Sequence, residues 1–95
     1  MSIKLIISFE VNNNDLAEFE GILKKVKFDL PKVNGCLGVS IYKSKSSVNK
    51  FTLVETWETK GDHERHVDHL VEDGSWDAIS RLLSSPPTSD YFTEM

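Results

Sequence analysis

Apolar residues alternate from Ile3 through Leu5, Ile7 and Phe9 to Val11, and from Leu16 onward they recur instead at steps of three and four. That change of period constrains the fold more than any other feature. A two-residue repeat buries one face of a strand, whereas a 3.6-residue repeat buries one stripe of a helix. The "NNND" between the two patterns supplies turn chemistry, and Asp15 with Glu18 three residues later is expected to form a capping box. The helical stripe passes through Leu16, Phe19, Leu23, Val26, Leu30 and Val33. Pro31 is expected to make its last turn irregular, and Asn34-Gly35 to end it.

A second strand reads from Cys36 to Lys43, with Leu37, Val39 and Ile41 on one face and Gly38, Ser40 and Tyr42 on the other. A third runs from Phe51 to Glu58 and carries Phe51, Leu53, Glu55 and Trp57 on one face, so a carboxylate stands among bulky apolar groups. His63, His66, Val67, Leu70 and Val71 then fall at helical spacing, and Trp76, Ile79, Leu82 and Leu83 continue the pattern beyond Asp73-Gly74. The interruption predicts a second helix in two pieces. "SSPPTSD" reads as a connector and "YFTEM" as a short terminal strand.

The order strand, helix, strand, strand, helix, strand is that of a ferredoxin-like α+β unit, βαββαβ, with an antiparallel sheet and both helices on one side. The whole chain, 1–95, reads as one such domain. Its other sheet face would leave Ile6, Val54 and Tyr42 uncovered, so two protomers are expected to pack sheet against sheet as a homodimer.

Composition removes several classes of function. A domain of 95 residues buries only about 60–65% of its unfolded surface. A charged fraction of 27% with two Trp, two Tyr and five Phe argues against disorder, and a net charge of −4 argues against nucleic acid as partner. The basic run "KSKSSVNK" is interleaved with Ser and Asn rather than aromatics and reads as a solvated hairpin loop. A lone cysteine, Cys36, permits no internal disulfide and fits a reducing cytoplasm. The opening apolar run is broken by Ser8 and Glu10, and no stretch reaches the roughly 20 apolar residues that a membrane span needs.

At "GCLGVSIYKS" (35–44), then "FTLVETWE" (51–58) and a histidine nine residues beyond the Trp, the chain resembles the antibiotic biosynthesis monooxygenase domain family. The resemblance runs from about Ile3 to Phe92. It implies a dimeric α/β barrel of ferredoxin-like protomers, with a pocket between each sheet and its second helix. The polyketide and quinol oxidases of the family use no flavin, haem or metal, so the resemblance implies no cofactor. A flat, electron-rich phenol or quinol loses a proton and reacts with oxygen itself. The family also holds haem-degrading members, but their first-strand asparagine is missing from "IKLIISFEV". The polar amide that polyketide oxidases place four residues before the strand tryptophan is Leu53 here, and a short insertion near "LVEDGS" separates His66 from Trp76.

The resemblance aligns His66 with the family histidine and makes it the expected proton acceptor, since an imidazole changes charge near neutrality. A half-buried histidine satisfied by an ordinary hydrogen bond fits the same pattern. Glu55, on the strand face shared with Trp57, is expected to orient His66, as carboxylates do in many acid–base pairs. Trp57 is expected to stack a small aromatic ligand, with Leu53, Phe51 and Trp76 lining the substrate pocket, and Tyr42 either hydrogen-bonds a quinone oxygen there or, by alternation, faces the dimer interface. His63 and His69 read as solvated helix residues. The three histidines span more than one helix face among Asp62, Glu64, Arg65 and Asp68 and lack an HExxH arrangement, so no metal site is expected. Two functions follow: a cofactor-independent monooxygenase, or a non-catalytic dimeric domain, ligand-binding or stress-related, with haem binding as a weaker third.

Overall fold

The computed structural model describes residues 2–95. Four strands, β1 (Ile3–Glu10), β2 (Cys36–Lys43), β3 (Lys50–Trp57) and β4 (Thr88–Phe92), form one antiparallel sheet in the order β2-β3-β1-β4. Helix α1 (Leu16–Asp29) joins β1 to β2, while α2 (Lys60–Glu72) and α3 (Ser75–Ser80) join β3 to β4. Both connections place their helices over one sheet face, which is the ferredoxin-like α+β fold expected from the alternating periods.

The alternation in β1 and β3 sorts their side chains as anticipated. Leu5, Ile7 and Phe9 face the helices with Phe51, Leu53, Glu55 and Trp57, and all are buried. Phe19 of α1 is 1% exposed and meets Phe9 and Phe51, each at a ring separation of 5.4 Å, the first edge to face. This trio fixes α1 over the Lys50 end of β3. Truncating Phe19 to Ala is expected to cost about 3–5 kcal/mol.

Three local expectations give way. Asp15 makes no side-chain capping bond, because residues Asn13–Asp15 form a 3-10 turn that takes the chain into α1 and leaves Asp15 with a backbone unlike a capping residue's. The cap forms instead at α2, where Thr59 Oγ1 accepts from the Asp62 backbone N–H at 3.1 Å. Leu37 does not share a face with Val39 and Ile41. The β2–β3 register shifts between Cys36 and Gly38, so Cys36 pairs with Trp57 in the core and Leu37 is turned outward, 55% exposed. The terminal strand begins within the expected connector, at Thr88, directly after the paired prolines.

The remaining breaks fall where they were anticipated. A 3-10 turn at Leu30–Lys32 ends α1 around Pro31. Gly74, at φ 82°, separates α2 from α3 in a left-handed conformation that favours glycine. No helix among the described residues is long and apolar enough to cross a membrane.

Candidate functional site

A cleft of about 1040 Å³ lies between the helical layer and the sheet. It lies between α1 and the α2–α3 pair, lined by Phe19, Leu23 and Val26 from the first helix and by His63, His66, Val67 and Leu70 from the second. Its floor is a row abreast across the sheet, in which Glu55 pairs with Leu5 and Leu5 with Tyr91. Two strand spacings separate Glu55 from Tyr91, about 10 Å, a span suited to one aromatic ring with polar groups at its edges. Leu53 and Ile7 continue the floor, and Trp76 and Ile79 close it from the α3 side.

The start of α2 is held by close packing. Gly35 sits at φ 88°, and a Cβ there would stand 2.5 Å from Asp62 Cγ, so glycine alone lets the first turn of α2 rest on the β2 approach. Asp62 in turn accepts from Thr59 Oγ1 and Arg65 Nη1, each at 2.9 Å. His63 follows immediately and points inward.

The polar groups are arranged around Trp57. Its indole N–H donates to Glu55 Oε1 at 2.9 Å, and the rings of His63 and His66 both lie 5.4 Å from its own. Tyr91 Oη is 2.7 Å from His63 Nδ1. No buried side-chain nitrogen or oxygen among the described residues lacks a hydrogen-bond partner. The second oxygen of Glu55 is therefore open to the cleft that this residue lines.

Burial sets the protonation of each group. It raises the Glu55 carboxyl above the ordinary carboxylate range, with the Trp57 bond opposing it. It lowers both imidazoles, His63 with added repulsion from His66, and His66 with added repulsion from His69. Both rings are thus held neutral, and a neutral imidazole accepts a proton.

The structure brings His66, Glu55, Leu53 and Trp76 to the cleft, and it corrects the other placements. Trp57 is fully buried with both histidine rings against it, so it supports the wall and offers no free face for stacking. Glu55 is bonded to Trp57 rather than to His66. Phe51 belongs to the core beneath Phe19, away from the cleft. Tyr42 pairs with Thr52 on the far sheet face and is 58% exposed, as strand alternation requires. His63 is not solvated but 8% exposed. Among the described residues no group of three or more His, Cys, Asp or Glu is placed to hold a metal ion.

His63 and Tyr91 are the site residues that sequence reasoning missed. Spacing held a signal for the first, since His63 lies three residues before His66 and hence on the same helical stripe. Tyr91 carried none beyond its place in a strand-like run, because its register against Leu5 follows from the fold.

An antiparallel sheet with one helical layer and a cleft between that layer and the sheet defines an α+β, ferredoxin-like class of protein. The sequence profile described as antibiotic biosynthesis monooxygenase matches residues 2–71, and the chain belongs to that family. No curated protein matches it. Among solved structures, a conserved protein from Methanosarcina mazei Go1 is similar over 100% of this chain and 94% of its own, with TM-score 0.85 and 20% identity. SnoaB, a cofactor-independent oxygenase from Streptomyces nogalater, is similar over 98% of this chain and 92% of its own, with TM-score 0.81 and 15% identity. Rv0793 from Mycobacterium tuberculosis is similar over 100% and 96%, with TM-score 0.86 and 14% identity. At these identities the likeness is one of fold.

Proposed function

We propose that this chain is a cofactor-independent monooxygenase that oxidises a small electron-rich aromatic, a quinol or phenol, with molecular oxygen. The observation that carries the reading is His66, a neutral imidazole lining a largely apolar cleft of ligand size. SnoaB, which shares the fold, is a cofactor-independent oxygenase, and the family's description is in keeping with such chemistry.

In the proposed reaction the aromatic lies over Leu5 with a hydroxyl towards His66. The O–H bond breaks, the proton goes to the imidazole, and the electron pair stays on the substrate oxygen, from which it is delocalised into the ring. Electrons pass from that anion to oxygen, a C–O bond forms, and the resulting peroxide anion takes the proton back from His66 to become a hydroperoxide. Loss of water, the ring C–H leaving with the terminal O–H of the hydroperoxide, then leaves a quinone from a phenol and a hydroxylated quinone from a quinol, with one oxygen atom in the product and the other in the water. Glu55 holds a second substrate hydroxyl through its open oxygen, and Trp57 acts through Glu55 by fixing that carboxyl. The protein lowers the cost of forming the anion, which is the part of such a reaction that positioned groups can assist.

The working form is a homodimer made through the far sheet face, where Ile6, Val54, Tyr42 and Phe92 stand among Ser and Thr, with Lys4 and Asp90 on the same face. The Ser8–Thr52 and Lys4–Thr56 side-chain bonds, at 2.8 and 2.7 Å, satisfy polar groups on that face before it is covered. A reducing cytoplasm suits the single buried thiol of Cys36.

One observation favours a second reading. Glu55 is already engaged by Trp57 and does not orient His66, so the cleft also suits a non-catalytic domain that only holds a small hydrophobic ligand. Isotopically labelled oxygen separates the two. With a quinol substrate, the oxygenase gives a hydroxylated quinone carrying one labelled atom, detected by mass spectrometry, whereas a binding domain gives only the unlabelled quinone at the autoxidation rate.

A further inference from the structure

The buried histidine of α2 has a different environment from His66 and a different chemistry. His63 lies one turn earlier on the same stripe, and Tyr91 reaches it from β4 across the end of the cleft. Their rings stand 5.4 Å apart at 81°, with Tyr91 Oη 2.7 Å from His63 Nδ1.

The two partners decide which atom holds the hydrogen between them. A phenol oxygen shares its lone pair with its ring, so it donates a hydrogen bond more readily than it accepts one. An imidazole nitrogen without hydrogen is a strong acceptor. Burial, with Glu64 and Glu55 nearby, raises the Tyr91 hydroxyl and keeps it protonated, while His63 is held neutral. The O–H of Tyr91 therefore donates to Nδ1, and the single hydrogen of the neutral ring sits on Nε2. His63 makes no other side-chain hydrogen bond, and no buried side-chain nitrogen among the described residues is left unpartnered. Nε2–H consequently opens to the cleft that His63 lines.

We propose that His63 is a further catalytic residue, whose Nε2–H donates to the oxygen of the aromatic anion formed when His66 takes the proton, and that Tyr91 is the positioning residue that fixes its tautomer. This rests on the oxygenase reading. The two histidines divide the work: the substrate O–H breaks, its proton goes to His66, and its electron pair stays on an oxygen that accepts from His63. An acceptor and a donor one helical turn apart, both braced by Trp57, suit the two ends of that step better than two identical groups would.

The test uses para-nitrophenol, whose visible band belongs to its anion, below its free pKa, with nitrobenzene as a neutral probe of the same shape. The native chain is expected to bind the phenol as its anion. His63→Leu is expected to weaken anion binding by roughly 10²-fold, the effect of losing one oxyanion donor, while nitrobenzene binding is unchanged. His63→Gln, which restores a side-chain N–H, recovers part of the loss. Tyr91→Phe weakens anion binding by about fivefold, the equivalent of one hydrogen bond, and leaves nitrobenzene binding alone.

A folded His63→Leu protein that binds the anion as the native chain does overturns the inference. Should that variant fail to fold, unchanged anion binding by Tyr91→Phe does the same. A native chain that binds both probes and consumes oxygen while His63→Leu matches it sinks this inference alone. A native chain that binds neither probe sinks the oxygenase reading with it.

Discussion

Trp57 and Glu55 stand two residues apart on the same face of β3, both buried, with the indole N–H donating to the carboxylate at 2.9 Å. A carboxyl drawn into this core loses its water and regains only one strong donor, so its charged form is disfavoured. The pair thus holds the carboxyl in place at a cost to the fold, which is common where a group serves chemistry rather than stability.

Replacing Glu55 by Gln is accordingly expected to stabilise the protein at neutral and alkaline pH. The folded-state pKa lies above the unfolded value of 4.5, so below that value the carboxyl is neutral in both states and its burial carries no charge penalty. As pH rises through the raised folded pKa, the native chain loses stability that the amide variant keeps. Thermal denaturation across pH should show a gain for Glu55→Gln at and above neutrality that vanishes in acid. The same variant is expected to turn over roughly 10-fold more slowly, because an amide holds a substrate hydroxyl less firmly than a carboxylate does.

The histidines act in the opposite sense. Burial lowers both folded pKa values from 6.5, so the stability they leave intact above 6.5 is lost as pH falls through the folded values, where the unfolded chain binds protons and the folded one does not. The groups that bear on them are His69, Asp73 and Glu64 on or beside α2, and Glu55 and Tyr91 across the cleft. Turnover should therefore persist into mildly acidic solution and fall only below the ordinary histidine range. NMR titration of the imidazole signals checks this, and a His66 that titrates at or above 6.5 contradicts it.

The far sheet face gives a prediction about assembly. Ile6 and Val54 are register partners at its centre; Asp90 stands beside Ile6 and would offset a lysine there, whereas a lysine at Val54, flanked by Ile6 and Ser40, would carry an unpaired charge into the proposed interface at a cost of several kcal/mol. Val54→Lys should halve the mass measured by light scattering without loss of secondary structure. An unchanged mass contradicts the sheet-to-sheet arrangement.

Much of this fold was legible because β1, β3 and α1 each follow a single period over their whole length. Ile3 through Phe9 and Phe51 through Trp57 lie on the faces their alternation assigns. Legibility failed where one residue broke the count. The irregularity at Cys36–Gly38 sends Leu37 outward, which no periodicity announces. The site was legible only in part for a related reason. His66, Glu55 and Leu53 follow from the helical stripe and the strand face, but the identity of Glu55's partner depends on side-chain reach within one strand. The Tyr91–His63 contact joins residues 28 apart in sequence and depends on how β4 registers against β1 and how α2 is rotated. Those are tertiary choices, and a histidine among Asp62, Glu64 and Arg65 looks solvated until the helix is docked.

In the proposed reaction His66 takes a proton from an aromatic substrate that then reacts with oxygen. Oxygen uptake by the purified, metal-free protein with a panel of quinols, anthrones and catechols tests it most directly, comparing the native chain with His66→Ala while circular dichroism confirms that both are folded. Uptake is expected to run well above autoxidation for at least one substrate and to fall roughly 10²- to 10⁴-fold without the imidazole, the range for a positioned proton acceptor. Uptake that survives His66→Ala unchanged, or never exceeds autoxidation across the panel, would contradict it.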